Sequence, residues 1–267
     1  MVREITSYAN PLVKEARSLR EKKGRRETGL FLAEGLRVLI EALDAGQLPL
    51  RLWRTKEAAG HPLVARLEAA SEDVVVTSGD ILSKLSGKDN PGSVLGIFRE
   101  QFVELDRLER ERSALWLVAQ AIRDPGNLGT MLRTGDAVGA GGLILIDDCV
   151  DPFSVETVRA SMGAIFTQAV VKTSWQAFLS WLRCGPGQLV GASLVTEVDY
   201  HGAGYQSPTF LLIGNEARGL PGDYASACDL LVKIPMLGKA DSLNAAVATA
   251  VLAYEVLNQR RRGCVAD

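Results

Sequence analysis

The chain has 267 residues, 47% hydrophobic and 23% charged, with a formal net charge of −2 at pH 7. That length fits one large domain or two ordinary ones, and the near-neutral balance gives the chain as a whole no electrostatic case for nucleic acid. No apolar run reaches the roughly 18 residues that a bilayer span needs, and the opening Met1-Val2-Arg3-Glu4 lacks a signal-peptide core, so a cytoplasmic protein is expected. Four cysteines (Cys149, Cys184, Cys228 and Cys264) form no C-x-x-C pair, and there are only two histidines, His61 and His201. A disulfide framework, a zinc site and a Ser-His-Asp triad are all poorly supported. Plain thiols are the expected state of the cysteines.

In chain order, Ser7 to Glu21 reads as a helix, with Asn10-Pro11 suited to its start. From Lys14 to Arg26 seven cations face two acids, a basic stripe suited to phosphates or simply to a solvated helix end. Phe31 to Ala45 reads as a second helix, ended by Gly46. Arg51 to Arg54 is a short strand, His61 to Ala70 a helix, Asp73 to Thr77 a strand, Asp80 to Leu85 a short helix and Ser93 to Arg99 a strand. These form a small α/β unit over residues 1–103. Glu104 to Ser113 is the most charged run and the expected linker.

In the remainder, 114–267, apolar strands alternate with helices. The strands are Leu115 to Ala119, Leu143 to Asp147, Gln168 to Lys172, Gln188 to Ala192, Phe210 to Ile213 and Leu230 to Ile234. The helices are Leu128 to Val138, Ser154 to Gly163, Trp175 to Arg183 and Leu243 to about Arg260. Near-continuous apolar strands separated by helices indicate a parallel sheet covered on both faces. In such sheets ligands sit beyond the carboxyl ends of the strands.

Three strand-ending segments carry the candidate chemistry. Strand Leu115 to Ala119 leads to Asp124-Pro125-Gly126-Asn127-Leu128-Gly129, where Asn127 is placed to cap the next helix. Arg133 follows nearly two turns in, facing the same mouth or a partner. Strand Phe210 to Ile213 runs into Gly214-Asn215-Glu216-Ala217-Arg218-Gly219, whose glycines allow close approach of a ligand to the backbone. Strand Leu230 to Ile234 runs into Pro235-Met236 and then Asp241-Ser242-Leu243-Asn244, where Asp241 or Ser242 reads as an N-cap. Arg159 and Ser161 stand at a further helix end. The dinucleotide spacing G-x-G-x-x-G is absent, as is a phosphate loop ending in G-K-[ST].

Taken together, Asn127-x-Gly129-x-x-x-Arg133, Ile213-Gly214-Asn215-Glu216-Ala217-x-Gly219 and Ile234-Pro235-Met236-x-Gly238-x-x-x-Ser242-Leu243-Asn244 resemble the three motifs of the SpoU (TrmH-like) family of RNA ribose 2′-O-methyltransferases, in the SPOUT superfamily. The resemblance covers Leu115 to about Asn258. Ile5-Thr6-Ser7, Asn10-Pro11, Lys14 and Phe31-Leu32-Ala33-Glu34-Gly35 resemble the substrate-binding domain often fused in front. The resemblance implies an α/β parallel-sheet domain with a deep trefoil knot, a homodimer, S-adenosylmethionine as cofactor and no metal. It implies cofactor contacts at Gly214, Asn215, Gly219, Ile234, Met236 and Leu243, largely through backbone groups. Arg133 would activate the ribose hydroxyl, with Asn127, Glu216, Ser242 and Asn244 holding the constellation. A guanidinium keeps its proton near neutral pH, so clamping a phosphate or stabilising the developing alkoxide is the physically easier task for it.

Lys22, Lys23, Arg25, Arg26 and Arg159 are the candidate RNA contacts. Ribosomal RNA is the expected substrate. Transfer RNA, a non-catalytic RNA-binding factor of the same fold and a nucleotide-dependent oxidoreductase are the competing readings. One departure is Gly135, where family members often have alanine. A mid-helix glycine costs roughly 1 kcal/mol relative to alanine.

Overall fold

The computed structural model describes residues 2–263, which divide into two units. The first holds the residues up to Gln101 together with Asp151–Thr167, and the second holds Phe102–Val150 and the residues from Gln168 onward. The chain thus leaves the second unit after its second strand, contributes one helix to the first unit, and returns.

The first unit contains β1 (Val2–Glu4), α1 (Pro11–Ser18), α2 (Lys22–Thr28), β2 (Leu30–Glu34), α3 (Leu36–Asp44), β3 (Arg51–Thr55), α4 (Pro62–Ala70), β4 (Asp73–Thr77), α5 (Gly79–Ser86) and β5 (Val94–Arg99). Its five strands are ordered β1-β4-β3-β5-β2, with β5 antiparallel to both β3 and β2. One face buries Leu19, Trp53, Val75, Ile81, Leu85 and Leu95. An aromatic cluster joins Phe31, Phe98, Phe153 and Phe166, with centroids 4.7 to 5.8 Å apart. Phe153 and Phe166 come from the inserted segment, so it brings its own apolar anchors.

Two sequence expectations are corrected here. Phe31 to Ala45 is not one helix: Leu30–Glu34 is a strand paired with β5, and α3 begins only at Leu36. Between them Gly35 has φ 103°, a conformation that L side chains rarely adopt, and the chain turns there. The helix expected over Ser7 to Glu21 is shorter, α1 covering only Pro11–Ser18, and a separate helix α2 begins at Lys22. Asn10 does cap α1, its Oδ1 accepting from Leu12 N at 2.9 Å. The turn into α2 brings Gly24 against the end of α1, where a Cβ would lie 2.6 Å from Ser18 C.

Arg25 and Asp151 form a buried ion pair at 2.7 Å. Glu100 lies half-buried beside them. Desolvation first, and the Asp151 charge second, push its carboxyl up to about 7, with Arg25 opposing. A carboxyl raised in the folded state binds protons that the unfolded chain has already released. Stability is therefore expected to fall as pH rises from about 4.5 to about 7 and to level off above that. Glu100→Gln should stabilise the protein at pH 8 by about 1 kcal/mol, after discounting for screening by water, and by nothing at pH 4. Urea unfolding at the two pH values checks this, and equal gains at both would refute it.

The second unit contains β6 (Leu115–Gln120), α6 (Pro125–Ala137) and β7 (Gly142–Ile146), before α7 (Val155–Ser161) of the first unit. It continues with β8 (Ala169–Thr173), α8 (Trp175–Arg183), β9 (Gln188–Ala192), β10 (Thr209–Ile213), α9 (Gly222–Ala227), β11 (Leu230–Val232) and α10 (Ala245–Gly263). All six strands are parallel, in the order β11-β9-β10-β6-β7-β8. Every residue of β6, β7 and β10 is buried, as expected for a sheet covered on both faces. Trp116, Phe178 and Phe210 anchor the core, and α10 packs against α6 and β10.

The charged stretch 104–113 is docked on this unit rather than left as a free tether. Leu108 is buried among the core side chains. The Arg110 guanidinium lies 3.9 Å from the Trp181 ring centre and donates to Leu182 O at 3.0 Å, and Trp116 Nε1 donates to Arg110 O. One arginine stacking on an aromatic ring is invisible in a count of charges. Gly135 is also explained: a Cβ there would stand 3.2 Å from Leu117 Cδ1 and 3.0 Å from Gln168 Oε1, so the helix packs closely at that point.

Candidate functional site

The strand order places the site. From β6 the chain runs outward to β7 and β8, then crosses to the other side of β6 for β9, β10 and β11. The carboxyl ends of β6 and β10 therefore flank the point where the order reverses, the place where open parallel sheets bind ligands. A cavity of about 1120 Å³ lies there. Its walls come from the loop after β6 with the start of α6, from the loop after β10, and from the residues leading into α10.

Asp124, not Asn127, caps α6: its Oδ1 accepts from Asn127 N at 2.7 Å. That correction frees the Asn127 side chain. Its Nδ2 donates to Glu216 Oε1 at 3.0 Å, while its Oδ1 accepts from Asn244 Nδ2 at 2.7 Å. The cap of α10 is Asn244 rather than Asp241 or Ser242, with Oδ1 accepting from Ala246 N at 2.9 Å and Val247 N at 3.3 Å. One chain of hydrogen bonds thus runs from the head of α10 through the first turn of α6 to the loop after β10. Every amide orientation in it follows from its partners, because the helix-end N–H groups accept nothing and the carboxylate donates nothing.

Glu216 ends the chain. It also accepts from the backbone N–H of Asp124 and Arg123, each at 3.3 Å. Burial alone would raise its pKa. The bonds from Asn127 and from backbone N–H groups outweigh burial and hold the carboxyl below its ordinary value, so it is ionised at neutral pH.

The loop after β10 closes on itself. Asn215 Oδ1 accepts from Ala217 N and Arg218 N, and its Nδ2 donates to Ala121 O at 2.8 Å. Gly219 has φ 65°. A Cβ on Gly214 would lie 2.5 Å from Gly219 O and 2.6 Å from Leu220 N. Gly214 is thus required by the loop's own backbone, whereas Cβ positions at Gly219 and Gly238 face open space. Ala121 and Asp147, at the ends of β6 and β7, hold φ of 49° and 62°. Such left-handed residues cost about 1–2 kcal/mol each and gather at functional ends of folds.

Asn127, Glu216, Ser242 and Asn244, with Asn215, Gly219 and Leu243, line the cavity. Arg133, Gly214, Ile234 and Met236 do not. Arg133 is exposed and has no hydrogen bond or ion pair among the described residues. It lies six residues beyond Asn127, about 240° around the helix, and so on a different face. Gln120 was missed by sequence reading. It lines the cavity, donates from Nε2 to Asp147 Oδ2 at 2.9 Å, and has a buried Oε1 without a partner. Nothing in a strand's apolar pattern marks such a residue except the polar side chain at its last position.

Asn127→Ala removes one donor from the ionised Glu216 carboxylate and leaves the Asn244 amide without its acceptor, and is expected to cost about 1–2 kcal/mol. Asn244→Ala should cost less in the Asn127→Ala background than in wild type. Additive costs in a denaturant-unfolding cycle would show that the two side chains are uncoupled.

Residues 114–254 match the SpoU rRNA Methylase family, and residues 10–96 match the MRM3-like substrate binding domain. The chain belongs to the SpoU rRNA methylase family. This SpoU chain is 39% identical to an AdoMet-bound rRNA methyltransferase of Sinorhizobium meliloti, covering 97% of this chain and 98% of that one with a TM-score of 0.89. It is 30% identical to a 23S rRNA uridine 2′-O-methyltransferase of Streptomyces viridochromogenes, over 98% of this chain and 94% of that protein. It is 29% identical to RlmP, a 23S rRNA guanosine 2′-O-methyltransferase of Bacillus subtilis, over 96% and 99%. Both units of the SpoU chain are therefore covered by full-length relatives.

The candidate RNA contacts of the first unit divide. Lys22, Lys23 and Arg26 are exposed on α2. Arg25 is 3% exposed, donates to Leu19 O and Arg20 O, and pairs with Asp151, so it is a structural residue and not a phosphate contact. Adjacent residues on a helix face different ways, and a run of cations does not reveal which one points inward. Arg159 is partly exposed and reaches Glu34 at 3.5 Å. Cys149, Cys184 and Cys228 are free thiols, and Cys264 lies outside the described residues. No described helix is long and apolar enough to cross a membrane, and no group of three or more His, Cys, Asp and Glu among the described residues is arranged to hold a metal.

Proposed function

We propose that this protein transfers a methyl group from S-adenosylmethionine to a ribose 2′-hydroxyl of ribosomal RNA. The observation that carries the reading is the hydrogen-bond chain Asn244–Asn127–Glu216, which ties all three motifs to one cavity at the switch point of the sheet. A pure binding surface has no need of such a network. Relatives whose names specify ribosomal RNA 2′-O-methylation cover nearly the whole chain.

The residues present fit the cofactor. The cavity is large, its backbone is open at Gly219, and the adjoining loop offers open backbone at Gly238 with apolar Leu237 and Leu243 exposed. Asn215, Gly219 and Leu243 of the cavity wall would hold it, largely through backbone groups, while Gly214, Ile234 and Met236 belong to the same loops outside the lining. When bound, S-adenosylmethionine supplies a sulfonium methyl already activated toward an oxygen nucleophile. The protein's task is then to position the hydroxyl and manage its proton. Asn127 and Asn244 fix the geometry, Ser242 adds a hydroxyl to the wall, and Glu216 contributes a fixed negative charge.

Arg133 acts on the sugar–phosphate, clamping the neighbouring phosphate or stabilising the alkoxide. Its place on an outer face of α6 suits delivery to a partner's cavity in a homodimer. Val247 and Tyr254, seven residues apart on α10 and about half exposed, supply an apolar stripe for that contact. The trefoil knot belongs to the same reading: α10 returns from the β11 edge to pack on α6 and β10. The cytoplasm is the expected compartment.

Incubation of purified protein with tritiated S-adenosylmethionine and ribosomal RNA, followed by mapping of 2′-O-methyl positions, tests the reading. Label at one ribose of ribosomal RNA is expected. Label only in transfer RNA would overturn the substrate assignment, and cofactor binding without transfer to either RNA would overturn the activity.

A further inference from the structure

The first unit carries an aromatic ring that its own core does not use. Tyr8 is 42% exposed, just ahead of α1. Lys84 of α5 places its Nζ 3.8 Å from the ring centre. Arg20 fastens the ends of α1 and α5 together, donating from Nη1 to Lys84 O at 3.2 Å and lying against Gly87. The ring and its ammonium are therefore held on a braced pair of helices. Lys14 and Arg17 on α1, and Lys22 and Arg26 on α2, are exposed and form no ion pair among the described residues.

Unpaired cations usually find carboxylates in a chain that carries more acids than bases. Here several acids of the unit are engaged elsewhere: Asp73 with Arg3 and Arg51, Glu68 with Arg54, and Glu34 with Lys88 and Arg159. An exposed ring with free cations on the adjoining helices is a combination that binds unpaired nucleotides, the ring stacking on a base and the cations meeting phosphates. A duplex offers no free base face to such a ring.

We propose that Tyr8, with Lys84 over one face of its ring and Lys14 and Arg17 on the helix that follows, offers its other face as a stacking platform for an unpaired base of the RNA substrate. This rests on the RNA methyltransferase reading and adds that the first unit selects single-stranded or looped RNA. A base can stack on phenylalanine or tryptophan as well as on tyrosine, because the interaction uses the ring face and not the hydroxyl.

The probe is a fluorescein-labelled oligoadenylate of about twelve nucleotides, within the usual site size for single strands, compared by anisotropy with the same strand paired to oligouridylate. The wild type should prefer the single strand. Tyr8→Ala should weaken that binding about tenfold, and Tyr8→Phe should leave it within about twofold. Tyr8→Trp should bind as tightly, with emission quenched by the strand beyond the change seen for the native tryptophans. Lys84→Ala should reduce the slope of log affinity against log salt by about 0.7.

Wild type that ignores the single strand, or binds the duplex equally well, overturns the proposal. So does Tyr8→Ala at wild-type affinity with an unchanged melting temperature. Calorimetry with S-adenosylmethionine on the same variants separates the two claims: normal cofactor binding with no Tyr8 effect removes the platform alone, and absent cofactor binding with a Tyr8 effect removes the catalytic reading alone.

Discussion

Arg133→Lys is expected to lower methyl transfer to ribosomal RNA by about 100-fold while leaving S-adenosylmethionine affinity within about twofold. The magnitude is that of removing one preorganised donor from a developing negative charge. Lysine keeps the charge but loses the planar fork, and a point charge on a flexible stem cannot hold a phosphate oxygen and an alkoxide in one plane. Cofactor affinity is spared because Arg133 does not line the cavity that Asn215, Gly219 and Leu243 help to form. Single-turnover transfer and calorimetry give the two numbers. Turnover within twofold of wild type would remove Arg133 from the mechanism, and a matching loss of cofactor affinity would reassign it to cofactor binding. Because Arg133 makes no hydrogen bond or ion pair among the described residues, its loss should change the unfolding midpoint little. A fall in stability would therefore also count against the assignment.

Gly214→Ala is expected to abolish cofactor binding and to cost about 3 kcal/mol of stability or more. Its Cβ would meet Gly219 O at 2.5 Å and Leu220 N at 2.6 Å, which are backbone atoms with no freedom to swing aside. The loop would have to open, separating Asn215 from Ala121 O and moving Glu216 away from Asn127. Gly238→Ala is the control, since the added methyl group meets nothing within 4 Å. It should leave stability unchanged. Equal behaviour of the two variants in thermal unfolding would show that Gly214 is not under this constraint.

The alternation of apolar strands with helices after residue 114 needed no tertiary information. Strands buried on both faces must be apolar throughout, so β6, β7 and β10 declare themselves, and Gln188–Ala192 and Trp175–Arg183 have the bounds expected of them. The three motifs were legible for a related reason. Glycines, asparagines and a carboxylate clustered after strands have few structural uses in common, and their order along the chain repeats that of a known family. The first unit was read less well. Phe31-Leu32-Ala33 suits a helix or a strand equally over so short a run, and only the partner strand β5 decides between them.

What the sequence determined by itself was the class of fold, the family and the three motifs from which candidate residues are drawn, because these follow from residue type and local spacing. The tertiary structure decided which of those residues work together. Asp124 took the helix cap and released Asn127 to bridge Asn244 and Glu216. Arg25 turned inward to Asp151 while its neighbour Arg26 stayed in water. Asp151–Thr167 left the sheet it interrupts to pack with Phe31 and Phe98. Each outcome is a competition between a local partner and a distant one of similar chemistry. The winner is set by which group arrives with its desolvation already compensated, and that depends on residues as many as 126 positions away.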